Sequence, residues 1–304
     1  MSLFALPLAF VLSLAPTGAT SRFELDLDGN FLVRAWTGPP AGQQVGPTLG
    51  GGAGPGLSIF GKRVVDDEGP VSLQPFLQRV SIYRLAVGGH GSASLATNGD
   101  VDSSDYGGGV TASAKIYLHR NFFLDAGFGA LQSTRTYSGF VSATRSSMSL
   151  PTSIGFGVRF YDAEVAVTYR IDPAQTFAPD GTKRFEVPFW GEVDLSGFVV
   201  IRRRVSLSAG VTTEEGGASA RFGLGGYFGR RLSIGGSLYG GRGELHDYGS
   251  SYPHQWVGGN VGMFFWTQRL VGFGISYSPT WYSYNPSDPS SLNHLLSFTV
   301  SSRL

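Results

Sequence analysis

From residue 21 onward the chain repeats one pattern: apolar side chains fall on every second residue, with polar or small residues between them. In the first such segment Phe23, Leu25, Leu27, Phe31, Val33 and Ala35 share one parity, and Glu24, Asp26, Asp28, Asn30 and Arg34 share the other. A period of two belongs to a β-strand whose faces meet different surroundings; an amphipathic helix needs a period near 3.6. The parity runs unbroken through Asp28-Gly29-Asn30, so one long strand is predicted over 22–36 rather than a hairpin turning at that glycine. Downstream, nothing reaches the ~18 consecutive apolar residues of a membrane helix.

The alternation recurs along the chain. Val110, Ala112, Ala114 and Ile116 alternate with Thr111, Ser113, Lys115 and Tyr117, and Val165, Val167 and Tyr169 with Glu164, Thr168 and Arg170. Phe185, Val187, Phe189, Val193 and Leu195 oppose Glu186, Glu192 and Asp194, and Leu207, Ala209 and Val211 oppose Ser206, Ser208 and Thr212. Connections alternate too. Short ones stand at His119-Arg120-Asn121, Tyr161-Asp162, Ile201-Arg202-Arg203, Gly229-Arg230-Arg231 and Thr267-Gln268-Arg269; long polar ones stand at 98–106, 138–147, 172–183, 246–254 and 285–293. Short turns on one side and long loops on the other describe an up-and-down barrel that crosses a membrane. About 12 strands follow Val80, and the segments 22–36 and 48–65 make about 14, even counts that keep both termini on one side. The predicted fold is therefore all-β, a transmembrane antiparallel up-and-down β-barrel of about 12–14 strands. Residues 66–79 are long for a short-side turn and are expected to hold a small helix or fold inward.

Composition agrees and removes other classes. The 45 Gly, 22 Phe and 13 Tyr suit many strands with outward aromatics and close backbone approaches. With no Cys there are neither disulfides nor thiolate metal sites. The 23 Lys and Arg against 22 Asp and Glu give no field for nucleic acid. The apolar run from Leu3 to Ala15, interrupted by Pro7 and Ser13 and followed by Thr17-Gly18-Ala19, reads as a signal peptide over 1–19, although no Lys or Arg precedes it. The barrel then occupies 20–304, with 20–79 either an N-terminal extension or the first two strands.

At the C-terminus Leu296, Phe298, Val300 and Leu304 share one parity. This segment resembles the terminal strand of bacterial outer-membrane β-barrels, which the barrel-assembly machinery recognises; that pattern usually ends in an aromatic, and Leu304 stands here instead. The resemblance implies a bacterial outer-membrane location, with lipid and the assembly machinery as partners, and it names no substrate. In lipid the apolar parity must face outward, so Lys115, Arg159, Glu164, Arg170, Glu186, Glu192, Asp194 and Arg221 are candidate lumen-lining residues. Trp266, Trp281, Tyr282 and Tyr284 are candidate interface aromatics.

Three functions fit this pattern. A porin-like channel would use the polar lumen for small solutes; a structural or surface-binding barrel would fill it with paired charge; a lipid-modifying hydrolase would use His90 and Ser92. The third rests on similarity to the His-x-Ser pair of the outer-membrane phospholipase A and lipid A deacylase families, in which His is the base and Ser the nucleophile. Here the pair takes the lumenal parity, and Ala93-Ser94 stands where the phospholipase pattern has Asn-Gly. Residues 56–63 imitate a phosphate loop but carry Arg63 where Ser or Thr is needed. Asp100, Asp102 and Asp105 lack calcium-loop spacing, so no metal or cofactor is expected.

Overall fold

The computed structural model describes residues 21–37, 48–61, 63–64, 70, 72, 79–80, 83–98, 101–119, 121–139, 142–160, 162–177, 183–186, 191–214, 216–247, 250–267, 271–283 and 290–303. The signal-peptide reading of 1–19 lies outside them. Alternating segments become β1 (Ser21–Thr37), β2 (Thr48–Gly61), β5 (Tyr83–Asn98), β6 (Val101–Tyr117) and β7 (Phe122–Gly139), with the pair β3 (Arg63–Val64) and β4 (Arg79–Val80) forming a separate two-stranded ladder. The next staves are each broken once: β8 (Ala143–Ser149) with β9 (Thr152–Arg159), β10 (Ala163–Ile171) with β11 (Ala174–Phe177), and β12 (Lys183–Glu186) with β13 (Glu192–Ile201). Then follow β14 (Val205–Glu214), β15 (Gly217–Phe228), β16 (Leu232–Asp247), β17 (Ser250–Trp266), β18 (Val271–Ser283) and β19 (Ser291–Arg303).

Every stave pairs antiparallel with its sequence neighbours, and β1 pairs with both β2 and β19, from Asp26↔Arg303 to Thr37↔Leu292. That ladder closes the sheet into a barrel of 14 staves. Closure leaves no sheet edge, the condition for placing a sheet in hydrocarbon. β1 is continuous through Gly29, in line with its unbroken parity. Two of the breaks coincide with prolines. Pro151 and Pro173 cannot donate to a ladder, yet their carbonyls accept from Gly129 N–H (2.8 Å) and Leu150 N–H (2.9 Å), and the register is the same on both sides.

Large apolar side chains point outward. Leu27, Phe31, Leu95, Ile154, Phe156, Leu195, Phe222, Leu238 and Val257 are all exposed, whereas the buried apolar residues among those described are only Tyr83, Leu85, Phe123, Val200 and Trp266. A water-soluble protein of this size would bury such residues. Here the apolar surface is the outside, as a barrel solvated by lipid requires.

The two ends differ. At one end tight turns join the staves: Arg202 and Arg203 take φ of 50° and 56°, and Arg204 N–H donates to Ile201 O at 3.0 Å. At the other end three stretches expected as loops are strand. β5 and β6 stay paired out to Asn98↔Val101, β7 and β8 to Tyr137↔Ala143, and β16 and β17 to Asp247↔Ser250. A strand of 17 residues such as β6 is about 56 Å long at ~3.3 Å per residue, well beyond the ~25 Å apolar band. The excess projects as polar hairpins beyond the membrane. Within 172–183, β11 and the first residue of β12 are strand; within 285–293, the described residues begin at 290.

The connection between β2 and β5 enters the barrel. Pro70 is buried, and the Ser72 hydroxyl lies 3.1 Å from the Ser233 hydroxyl and accepts from Trp266 Nε1 at 3.0 Å. Ser233 and Trp266 are on the inward parity, since Ile234 and Phe265 are the exposed neighbours.

Candidate functional site in the barrel lumen

Among the described residues the inward ion pairs lie between β6 and β15 and run along the wall. Near the tight-turn end Lys115 Nζ meets Glu164 Oε1 at 2.6 Å, and Arg159 Nη1 approaches Glu164 Oε2 at 3.8 Å and Tyr117 Oη at 3.3 Å. The Lys115 chain crosses the face of Phe123, its Nζ 3.8 Å from the ring centroid. This route is open because Gly157 has no side chain: a Cβ there would lie 2.3 Å from the Phe123 ring. Three side chains from three staves thus form one compact group, with 12–21% of their side-chain surface exposed.

Towards the hairpin end the pairs loosen. Arg170 Nε and Glu192 Oε2, register partners on β10 and β13, stand 3.6 Å apart. Asp194 accepts from Thr212 Oγ1 at 2.8 Å and from Arg221 Nη2 at 2.9 Å. The Arg170 and Arg221 side chains are 52% and 55% exposed although both point inward. Beyond them Arg135 grips Asp105 through Nε (2.6 Å) and Nη2 (2.8 Å). Asp105 is therefore spent on a guanidinium, and among the described residues no group of three His, Asp or Glu is placed to hold a metal.

Of the lumen candidates, Lys115, Arg159 and Glu164 meet in one group, Arg170 meets Glu192, and Arg221 meets Asp194. Glu186 pairs with Ala174 in the backbone ladder, and its side chain lies outside the described residues. The aromatics divide. Trp281 is outward and 52% exposed, where a membrane-interface ring belongs. Trp266 is 3% exposed, faces inward and is bonded to Ser72, so its interface reading is corrected: nearness to a turn fixed its height, while parity sends it to the lumen. Tyr282, next to outward Trp281, likewise has inward parity and is not an interface ring; Tyr284 lies outside the described residues.

Elsewhere on the wall, the inward row of β2, flanked by β1 and β5, carries little side chain. Gly52, Gly54 and Gly88 face the lumen among Asp28, Asn30, His90 and Ser92. A Cβ at Gly54 would sit 1.8 Å from the Gly89 carbonyl oxygen, so the two strands come closer than any other residue allows. The glycine run of β2 keeps one register against β5, from Ala53↔Gly91 to Gly56↔Gly88. Gly56 to Gly61 is strand, which leaves no phosphate-cradling loop. Sequence reasoning missed this glycine-floored recess, although the run of inward-parity glycines was its signal.

No family model matches the chain, and no curated protein matches it. Among solved structures, the translocator domain of the autotransporter NalP from Neisseria meningitidis is similar over 99% of this chain and 95% of its own, at 14% identity and a TM-score of 0.50. The CymD monoaromatic hydrocarbon channel is similar over 93% of this chain and 88% of its own, at 9% identity and a TM-score of 0.56. At such identities the likeness shows the fold. The class that the fold defines is the transmembrane β-barrel, the architecture of bacterial outer-membrane proteins.

Proposed function

We propose that the barrel is a porin-like channel for small polar solutes. The observation that carries this reading is the exposure of the inward charges. Arg170 and Arg221 keep more than half of their side-chain surface free while pointing into the lumen, and Asp28, His90, Ser92 and Thr111 are exposed there too. A lumen packed with side chains would bury these groups; charges keep this much surface only where water reaches them. Among the described residues the ion pairs also run along the wall instead of across the axis. The tight-turn end carries bulkier inward side chains. There Phe123, Val200 and Trp266 are buried inside the barrel, and Ser72 is anchored to Ser233 and Trp266.

Lipid on the outer belt and the assembly machinery on the terminal strand complete the proposed partners. No hydrolase is proposed from His90 and Ser92: both have inward parity, whereas a membrane-lipid ester would lie against the outward face. Conductance of the purified barrel in planar lipid bilayers tests the channel reading. Stepwise ion currents are expected, and a folded barrel that inserts without them would refute it.

A further inference from the structure

We infer that the glycine-floored recess of the lumen wall binds a neutral, polyhydroxylated solute of mono- to disaccharide size. This rests on the channel reading and names the solute class for it. The recess has a volume of about 730 Å³, within the ~300–1,000 Å³ of small-molecule sites. Its floor is backbone, because Gly52, Gly54 and Gly88 stand at three inward positions. Its rim is polar on both sides. On β1 the Asp28 carboxylate is held by the Ser301 hydroxyl, and Asn30 Oδ1 accepts from Gly52 N–H at 2.8 Å, which turns the Asn30 amide donors away from that bond. Across the floor stand His90 and Thr111.

The remaining wall is aromatic. The Phe264 ring leans from β17 across β18, where Cβ atoms at Gly272 and Gly274 would lie 2.2 and 2.5 Å from ring carbons. Two glycines thus let the ring reach Thr299 of β19 and form an apolar plate beside the hydroxyls. One aromatic plate, one carboxylate and several groups that both donate and accept match a ligand with an apolar C–H face and a rim of hydroxyls. An anion would face Asp28 with no Lys or Arg among the described residues that line the recess. A hydrocarbon would strip water from the Asp28 carboxylate and the His90 ring and offer them no hydrogen bond in return, which is costly. A cation could use Asp28 and the ring but would leave the other polar groups idle, so it is the competing ligand in the test.

The test uses the full barrel with maltose and glucose as probes and choline as the cationic competitor. Titration calorimetry in detergent reads binding, ion current in planar bilayers reads occlusion, and heat-modifiable gel mobility reads folding. Maltose is expected to bind and to reduce the current with the same midpoint. Asp28→Asn and Phe264→Ala should each weaken binding about tenfold. Gly88→Leu should abolish binding yet keep the ion current, since a Cβ at Gly88 meets nothing nearer than 3.5 Å and the added chain fills the recess. Ser237→Ala, outside the recess, should behave as the parent. Ion current without sugar binding would overturn the proposal and spare the channel. Sugar binding without current would do the reverse. Tighter binding of choline than of either sugar, or binding unchanged in folded Phe264→Ala and Gly88→Leu, would overturn the recess assignment.

Discussion

Between β9 and β15 several inward wall positions carry paired charge, whereas on β2 four successive inward positions, Gly50, Gly52, Gly54 and Gly56, carry no side chain at all. Arg170, Glu192, Asp194 and Arg221 line the first arc as half-exposed or loosely paired groups. Gly52, Gly54 and Gly88 line the second, and its strands approach until a Cβ at Gly54 would overlap the Gly89 carbonyl. Both arcs obey the same period of two and the same outward apolar rule. The outward parity is dictated by lipid and is apolar throughout; the inward parity is free of that constraint and differs from stave to stave. One arc sets the electrostatic field of the lumen, and the other gives it a recess.

The largest effect should come from the glycine arc. Gly54→Ala forces its Cβ to within 1.8 Å of backbone and is expected to cost about 3 kcal/mol or more, or to stop folding. Gly197→Ala on β13, with nothing nearer than 3.8 Å, should cost at most about 1 kcal/mol. Urea-dependent folding into lipid vesicles measures both, and equal costs would mean that the close strand approach at inward Gly54 constrains the fold no more than an open outward position does. The outward face should show no such contrast. Leu207→Arg on the charged arc and Leu57→Arg on the glycine arc should each lose about 2–4 kcal/mol near the midplane, with Ser208→Arg milder because the lumen hydrates it. A harmless Leu207→Arg would reverse the assignment of faces.

Smaller effects test the charges themselves. Glu164→Gln leaves Lys115 and Arg159 without their shared carboxylate in a group that is about one-fifth exposed or less, and should cost about 1–3 kcal/mol. Arg135→Ala removes a bidentate contact to Asp105 at the exposed hairpin end, where the Arg135 side chain is 54% exposed. There solvent screening should hold the loss below about 1 kcal/mol. If Arg135→Ala proved the costlier of the two in the same folding titration, the inner group would not be the tighter one.

Much of this architecture was legible because lipid imposes parity. The continuity of β1 through Gly29, the outward residues and the tight turns with their arginines all follow from the period of two. What projects beyond the membrane was not legible. Asp102, Ser103 and Ser104 are strand, paired with Ser138, Tyr137 and Thr136, but neither of their faces meets hydrocarbon, so the alternation that marks a strand is lost and the sequence resembles a loop. Ion-pair partners were hidden for a different reason. Parity says that Lys115 and Glu164 share the lumen; that they meet depends on β6, β7, β9 and β10 lying side by side and on Gly157 admitting Phe123 beneath the lysine. Trp266 was misplaced although its parity was readable from Phe265.

On the channel reading, the charged arc borders water on a conducting path. The direct measurement is the reversal potential of single-channel current across a salt gradient, compared between the parent barrel and Glu192→Lys. Glu192 is a wall residue with 37% of its side chain exposed and one cationic partner, Arg170, at 3.6 Å. Reversing its charge should leave the folded barrel intact and shift the reversal potential towards anion preference. A folded parent that carries no current, or a Glu192→Lys barrel that loses stability without any change in current, would mean a filled lumen and would contradict the account.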